Sequence, residues 1–222
     1  MTVHWYQQED KKDELIVFGR ALQGVAPYRV VIEPDPTKCR SGRCSFNSHR
    51  ISVNPTLFKV PAMEQYQLTK ALLVHEAGHR RYTGPTTLPA IIREIANVLE
   101  DERVESRMCE EFLGARWLIK KLAARFYEEA NPIKKASDMP NEVVSYFLQL
   151  RWAKRIGRPI KGGLSHKNRL LWKKVEPLVY ESWQATGSET VHRNAIRIAE
   201  ILGYCNQSIY KTLDNSNPKE VL

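Results

Sequence analysis

Apolar residues recur at two spacings along this chain, and the change between them divides it. Residues 13–22, from Asp13-Glu14-Leu15 to Leu22, follow a helical period that stops near Gly24. Tyr28-Arg29-Val30-Val31-Ile32 and the run from Cys44 to Val53 alternate and predict strands, joined through the Pro34-Asp35-Pro36 turn and a Ser41-Gly42 hairpin tip. Arg50-Ile51-Ser52-Val53-Asn54-Pro55 is the last stretch of strand character. The helical period then returns. Met63, Tyr66, Lys70, Leu72 and Leu73 belong to a long helix with no proline or glycine before residue 78. A second helix starts near Leu88-Pro89, with Ile91, Ile95, Val98 and Leu99 as its core arc. Further helices are predicted over 111–130, 141–156, 165–185 and 188–204, and Pro177 is expected to kink or split the third of these. The predicted class is α+β, with a small antiparallel sheet of two to four strands followed by helices. Residues 1–130 are expected to form a core and residues 131–222 a helical region packed on it.

The first long helix carries Val74-His75-Glu76-Ala77-Gly78-His79, an H-E-x-x-H pattern. Spacing of i, i+4 puts both imidazoles on one helix face, close enough to share a cation, with Glu76 beside them. Zinc sites of this kind use a glutamate as general base toward a zinc-bound water, which makes Glu76 the candidate catalytic residue and His75 and His79 candidate metal ligands. Gly78 sits in the interior of this helix at a cost of about 1 kcal/mol relative to alanine, so it calls for a close approach by another backbone or by substrate.

A third protein ligand is needed. Six residues after His79, where one zincin class carries a third histidine, stands Pro85, which excludes that class. The alternative is a carboxylate from the next helix, the two-histidine, one-glutamate set of enzymes of the thermolysin kind. Asn97-Val98-Leu99-Glu100-Asp101-Glu102-Arg103-Val104-Glu105 holds four carboxylates. Glu100 is favoured for its longer reach and because Asn97, one turn earlier, is placed to brace it; Asp101 is its immediate rival, and Glu94, Glu102 and Glu105 remain. The bland alternative is a solvated acidic face balanced by Arg93, Arg103 and Arg107. His49, His166 and His192 read as ordinary surface or packed histidines, and Trp117, Trp152, Trp172 and Trp183 as packing residues. An oxyanion donor is left open among Tyr82, Tyr146, Tyr204 and His192.

Composition narrows the rest. The chain has 222 residues, 42% hydrophobic and 27% charged, with no apolar run long enough to span a bilayer and no signal-peptide core behind its start, so a cytoplasmic location is expected. Cysteines 39, 44, 109 and 205 are too few for a disulfide scaffold; Cys39 and Cys44, facing each other across the predicted hairpin, are expected to be free thiols. A net charge of +9 suggests an acidic protein or nucleic-acid partner. The basic pairs, among them Lys11-Lys12, Arg80-Arg81 and Lys134-Lys135, are scattered, and no nucleic-acid module accompanies them.

Taken together, the strand 50–55, the His75-Glu76-Ala77-Gly78-His79 helix, the Asn97–Glu105 segment and Phe112-Leu113-Gly114-Ala115 resemble the zincin-type metallopeptidase domain of bacterial and phage proteins related to cobaltochelatase subunit CobT, which often carry a von Willebrand A domain. The resemblance covers about residues 45–120. It implies a gluzincin-like fold, with zinc bound by His75, His79 and an acidic residue of the Leu-Glu-Asp segment, and a peptide or protein substrate. Relatives are sometimes paired with AAA+ ATPases; this chain leaves no room for a von Willebrand A domain after its helical region, which argues against such a partnership. The expected function is a zinc metallopeptidase. The alternatives are a non-catalytic accessory protein stapled by zinc that binds an acidic partner, and a nucleic-acid-associated protein.

Overall fold

A computed structural model describes residues 4–133 and 141–204; Lys134-Lys135 and Cys205 lie outside the described residues. The class is α+β, with seven helices and a three-stranded sheet among the described residues. The elements are α1 (Glu9–Ala21), β1 (Arg29–Ile32), β2 (Gly42–Ser45), β3 (Arg50–Val53), α2 (Ala62–Tyr82), α3 (Ala90–Glu111), α4 (Leu113–Glu129), α5 (Asn141–Ile156), α6 (His166–Gln184) and α7 (Ser188–Ile201). Two compact units result, Met1–Pro85 with Val104–Glu129, and Thr86–Arg103 with Ala130–Leu222. The division falls inside α3, a single continuous helix.

In the first unit the sheet is mixed, which corrects the expected antiparallel one. Its order is β1-β3-β2; β1 runs parallel to β3, from Arg29 opposite Arg50 to Ile32 opposite Val53, and β2 runs antiparallel to β3. Alternation of apolar residues sets which face a side chain takes but not which strand lies alongside. The choice is made by the loop between β1 and β2. Asn54 donates from its backbone N–H to Ser41 O at 2.7 Å and from Nδ2 to Cys39 O at 2.9 Å, tying that loop to the end of β3 and leading β2 to the side of β3 away from β1. The hairpin turns at Phe46-Asn47-Ser48-His49 rather than at Ser41-Gly42. His49 takes φ 48°, and the Ser48 hydroxyl donates to Ser45 Oγ at 2.7 Å.

Central strand β3 buries Ile51, Ser52 and Val53, and α2 covers the sheet with Leu68, Leu72, Leu73 and Ala77. α1 contributes Leu15 to the same core, and Lys70 of α2 donates to Glu14 of α1 at 2.8 Å. Gly78 has the reason its position called for: a Cβ there would lie 3.0 Å from Met108 Cγ and 3.4 Å from Val104 Cβ, so the last part of α3 packs closely on α2. α4 lies along α2 as well, through Leu118, Ile119 and Leu122. Trp117 departs from its expected packing role; it is 55% exposed, with Lys121 over its ring.

The second unit is built around Ile92, Ile95, Leu99, Phe147, Val175, Val179, Val191 and Ile198. Trp172 and Trp183 are buried in it, as expected of packing residues. Ser165 caps α6 by accepting from the Asn168 N–H, and the helix runs through Pro177 without being split. Among the described residues, no helix is long and apolar enough to cross a membrane.

Ile133 and Gly162 form an isolated bridge in this unit, with Gly162 at φ +88°, where a Cβ would lie 2.8 Å from Ile133 O. Gly162→Ala should therefore lower unfolding stability by about 1–3 kcal/mol. Gly163, with nothing within 4 Å of its Cβ position, is the control: Gly163→Ala should stay within about 0.5 kcal/mol of the parent in the same denaturation experiment.

Candidate metal centre

α2 presents His75 and His79 one turn apart, with ring centroids separated by 4.8 Å and the planes at 77°. Each ring is oriented through Nδ1. His75 Nδ1 lies 2.9 Å from Glu105 Oε1 on α3; an ionised carboxylate only accepts, so the imidazole carries its proton on Nδ1 and donates it there. His79 Nδ1 lies 3.0 Å from the hydroxyl of Thr83, the residue that ends α2. With Nδ1 engaged in this way, Nε2 is the nitrogen that would coordinate a cation, and a carboxylate on the far nitrogen of His75 raises the basicity of the ligating one.

Asp101 completes the group. His75, His79 and Asp101 each offer one ligand atom, and these atoms lie within 4.8 Å of one another, so the three could hold a metal ion. Helix continuity accounts for the choice of Asp101. At 100° per residue it sits roughly 40° from Glu105 around α3, whereas Glu100 sits roughly 140° away. The carboxylate that orients His75 and the one that offers itself as a ligand are thus one turn apart on the same stripe.

Glu100, favoured as the third ligand, is placed otherwise. It is 1% exposed, and its Oε2 accepts from Arg103 Nε at 2.8 Å, with Nη2 at 2.6 Å. Asn97 does not brace it; that amide is exposed and makes no hydrogen bond among the described residues, and Arg103 takes the role expected of it. Direction around the helix decides here, and reach does not. Nor is the acidic segment a solvated face. Asp101 pairs with Arg151 at 2.5 Å and Glu102 with Arg155 at 2.8 Å, and Glu100, Glu102 and Glu105 are all buried. Arg151 is only 3% exposed, so it holds the Asp101 carboxylate in one orientation from inside the second unit.

Glu76 is 6% exposed and comes up against β2: a Cβ on Gly42 would overlap its Oε1 and lie 3.0 Å from its Cδ. This explains a glycine inside a strand where a tip was expected. Burial, with the Glu76 charge nearby, raises the thiol of Cys39 and pushes that of Cys44 up to about 12, so both stay protonated at neutral pH. They are free cysteines, as is Cys109.

The remaining candidates take other places. His49 rests on the Tyr28 ring at the hairpin, and His166 is exposed at the start of α6. His192 of α7 is half-buried within reach of the Glu100 and Arg103 charges, and burial lowers its pKa, keeping it neutral. Tyr82 donates its hydroxyl to Glu111, and Tyr146 meets Trp172 edge-on. Sequence reasoning missed the roles of Glu105, Thr83, Gly42 and Arg151. For Glu105 a signal existed, since it follows Asp101 by one helical turn.

Two imidazoles and a carboxylate are a donor set that suits zinc, and the His75–Glu105 contact matches the outer-shell pattern of ligating histidines. Glu105→Ala should weaken zinc affinity by about 10–100-fold, read by competition with a chromogenic chelator, while leaving the stoichiometry of a saturated sample unchanged. No protein-family model matches the chain, and neither a curated protein nor a solved structure does.

Proposed function

We propose that this protein is a zinc-dependent metallopeptidase of zincin-like arrangement, with His75, His79 and Asp101 as the metal ligands and Glu76 as general base. The observation that carries the reading is the grouping of two imidazoles, each oriented through Nδ1, with a carboxylate from the next helix, on a helix where the buried Glu76 directly follows the first histidine. A zinc ion held there would supply a Lewis acid that polarises a carbonyl and makes water a competent nucleophile near neutral pH.

The chain's own residues provide the rest. Glu105 fixes the tautomer and tilt of His75, Thr83 the tilt of His79, and Arg151 the orientation of Asp101. Glu76, held against the Gly42 backbone, accepts a proton from water and returns it to the departing amine. Beside it β2 is an outer strand with no strand on its second side among the described residues, so an extended peptide can align along it next to Glu76. This feature favours a peptide over a compact substrate. The free thiols fit a reducing, cytoplasmic setting.

One observation favours a second reading. Glu100, Asp101 and Glu102 each have an arginine partner, and a carboxylate set so thoroughly neutralised suits a structural ion that staples α2 to α3 in a non-catalytic accessory protein.

Metal analysis beside hydrolysis of an unfolded protein separates them. Wild type and Glu76→Gln should each carry about one zinc, His79→Ala and Asp101→Ala should carry little, and Glu100→Ala should keep the ion. Turnover should fall by about 10²–10⁴-fold in Glu76→Gln. Zinc without Glu76-dependent cleavage selects the accessory protein, and a chain that binds no zinc sinks both readings. Gly42→Ala should retain zinc and melt close to wild type, because the displaced neighbour is a side-chain end, yet lose most of its turnover because that end belongs to Glu76.

A further inference from the structure

The other margin of the sheet carries a second feature, independent of the metal centre. β1 is also an outer strand. Arg29 N–H donates to His49 O at 3.0 Å and Glu33 N–H to Val53 O at 2.9 Å, so these residues face β3. In a parallel ladder alternate residues point to opposite sides, which turns the N–H and C=O of Val30 and Ile32 away from β3. Neither residue's backbone has a hydrogen-bond partner on that side among the described residues. Both residues are nevertheless buried, at 4% and 5% exposure. Both belong to the core, while an outward strand edge without a partner is a template on which another strand can pair.

A groove of about 460 Å³ runs along this edge, walled by Lys12, Ile16 and Arg20 of α1 and by residues 27–32. Lys12, Ile16 and Arg20 follow at four-residue steps and share one helix face. Arg29 adds a third cation, and none of the three cations makes an ion pair among the described residues. Ile16 and Val31 give the groove an apolar lining between these charges. Lys12 and Arg20 are separated along α1 by about 12 Å, close to the rise of four residues of extended chain.

We infer that this groove docks an extended acidic segment of a partner protein, which adds a strand to β1 through the outward backbone groups of Val30 and Ile32 and sets two carboxylates four residues apart against Lys12 and Arg20. The backbone groups select a peptide, since a nucleic acid offers no complementary ladder. The unpaired cations select its charge.

The test uses the full chain and a fluorescent, end-blocked peptide of about ten residues alternating glutamate and valine. Saturable binding by fluorescence polarisation is expected, together with slowed hydrogen exchange at the Val30 and Ile32 amides. The double variant Lys12→Glu, Arg20→Glu, in exposed positions that leave the circular dichroism spectrum unchanged, should bind about tenfold or more weakly. A backbone N-methylated peptide of the same charge should fail to bind, as should a lysine–valine peptide. Equal binding of the N-methylated peptide, displacement by a single-stranded oligonucleotide with the same dependence on Lys12 and Arg20, or no binding at all would each overturn the inference. The first two would mark a general polyanion surface, and the last a strand edge merely guarded by charge.

Discussion

The hydrogen bond from His75 Nδ1 to Glu105 is the interaction on which the candidate metal centre depends. It lies between α2 and the last part of α3, where Gly78 admits Met108 and Val104 at van der Waals range, so the helices are close before any ion is considered. A hydrogen bond to a charged group contributes about 1.5–3 kcal/mol, and with Glu105 at 2% exposure, removing the imidazole takes a donor away from a buried carboxylate. The contact therefore fixes a ring and settles a carboxylate together. Because α3 is continuous, setting Glu105 also sets Asp101 one turn earlier. A packing glycine, one hydrogen bond and the helical repeat account for Asp101, and not Glu100, being grouped with the two imidazoles.

The histidine pair was legible in the sequence because its geometry is local: residues four apart on a helix are neighbours whatever the rest of the chain does. The positions of α1, α2, α5 and α6 were readable for the same reason, and β1 from its alternation. The run from Cys44 to Val53, read as one strand, is broken by the turn at Phe46-Asn47-Ser48-His49 into β2 and β3. Strand pairing was not readable, since Ile51 and Val53 announce a buried face and say nothing of Val30 lying parallel beside them. The acidic segment is the instructive case. Reach favoured Glu100, and reach is a property of the residue alone; the outcome turned on which direction around α3 faces α2, and Glu105 carried that information by sharing Asp101's stripe. Arg151 had no such signal. It meets Asp101 from fifty residues away, through a helix whose placement no local pattern specifies.

Charge is handled in two ways along this chain. In α3, three consecutive carboxylates are each matched to a guanidinium, and Arg103 and Arg151 are nearly inaccessible. Buried pairs of this kind add little net stability, because desolvation offsets attraction, but removing one partner is costly. Their consequence is rigidity: Glu100 is committed to Arg103, while Asp101, held by Arg151, and Glu105 are the carboxylates associated with the two imidazoles. At α1 and β1 the opposite holds. Lys12, Arg20 and Arg29 keep their charge without an acidic partner among the described residues, so part of the +9 surplus is concentrated beside a strand edge instead of being neutralised within the fold.

A sheet of three strands has two edges for one interior strand, and the sequence treats them differently. β3 is interior because Ile51 and Val53 are fully buried and both sides of its backbone are engaged. β2 carries the one residue type that lets its backbone approach Glu76, and a side chain at position 42 would occupy the space of the carboxylate. β1 has no such requirement: its inward residues, Val30 and Ile32, are bulky and packed, and what it offers outward is backbone polarity flanked by cations. An edge left open for aggregation would be flat and apolar; neither of these is, since one is abutted by an acid and the other rimmed by bases. The two edges also differ in what lies behind them, a buried acid at β2 and a groove walled by Lys12, Ile16 and Arg20 at β1, so the proposed substrate and the inferred partner segment occupy different margins of one sheet.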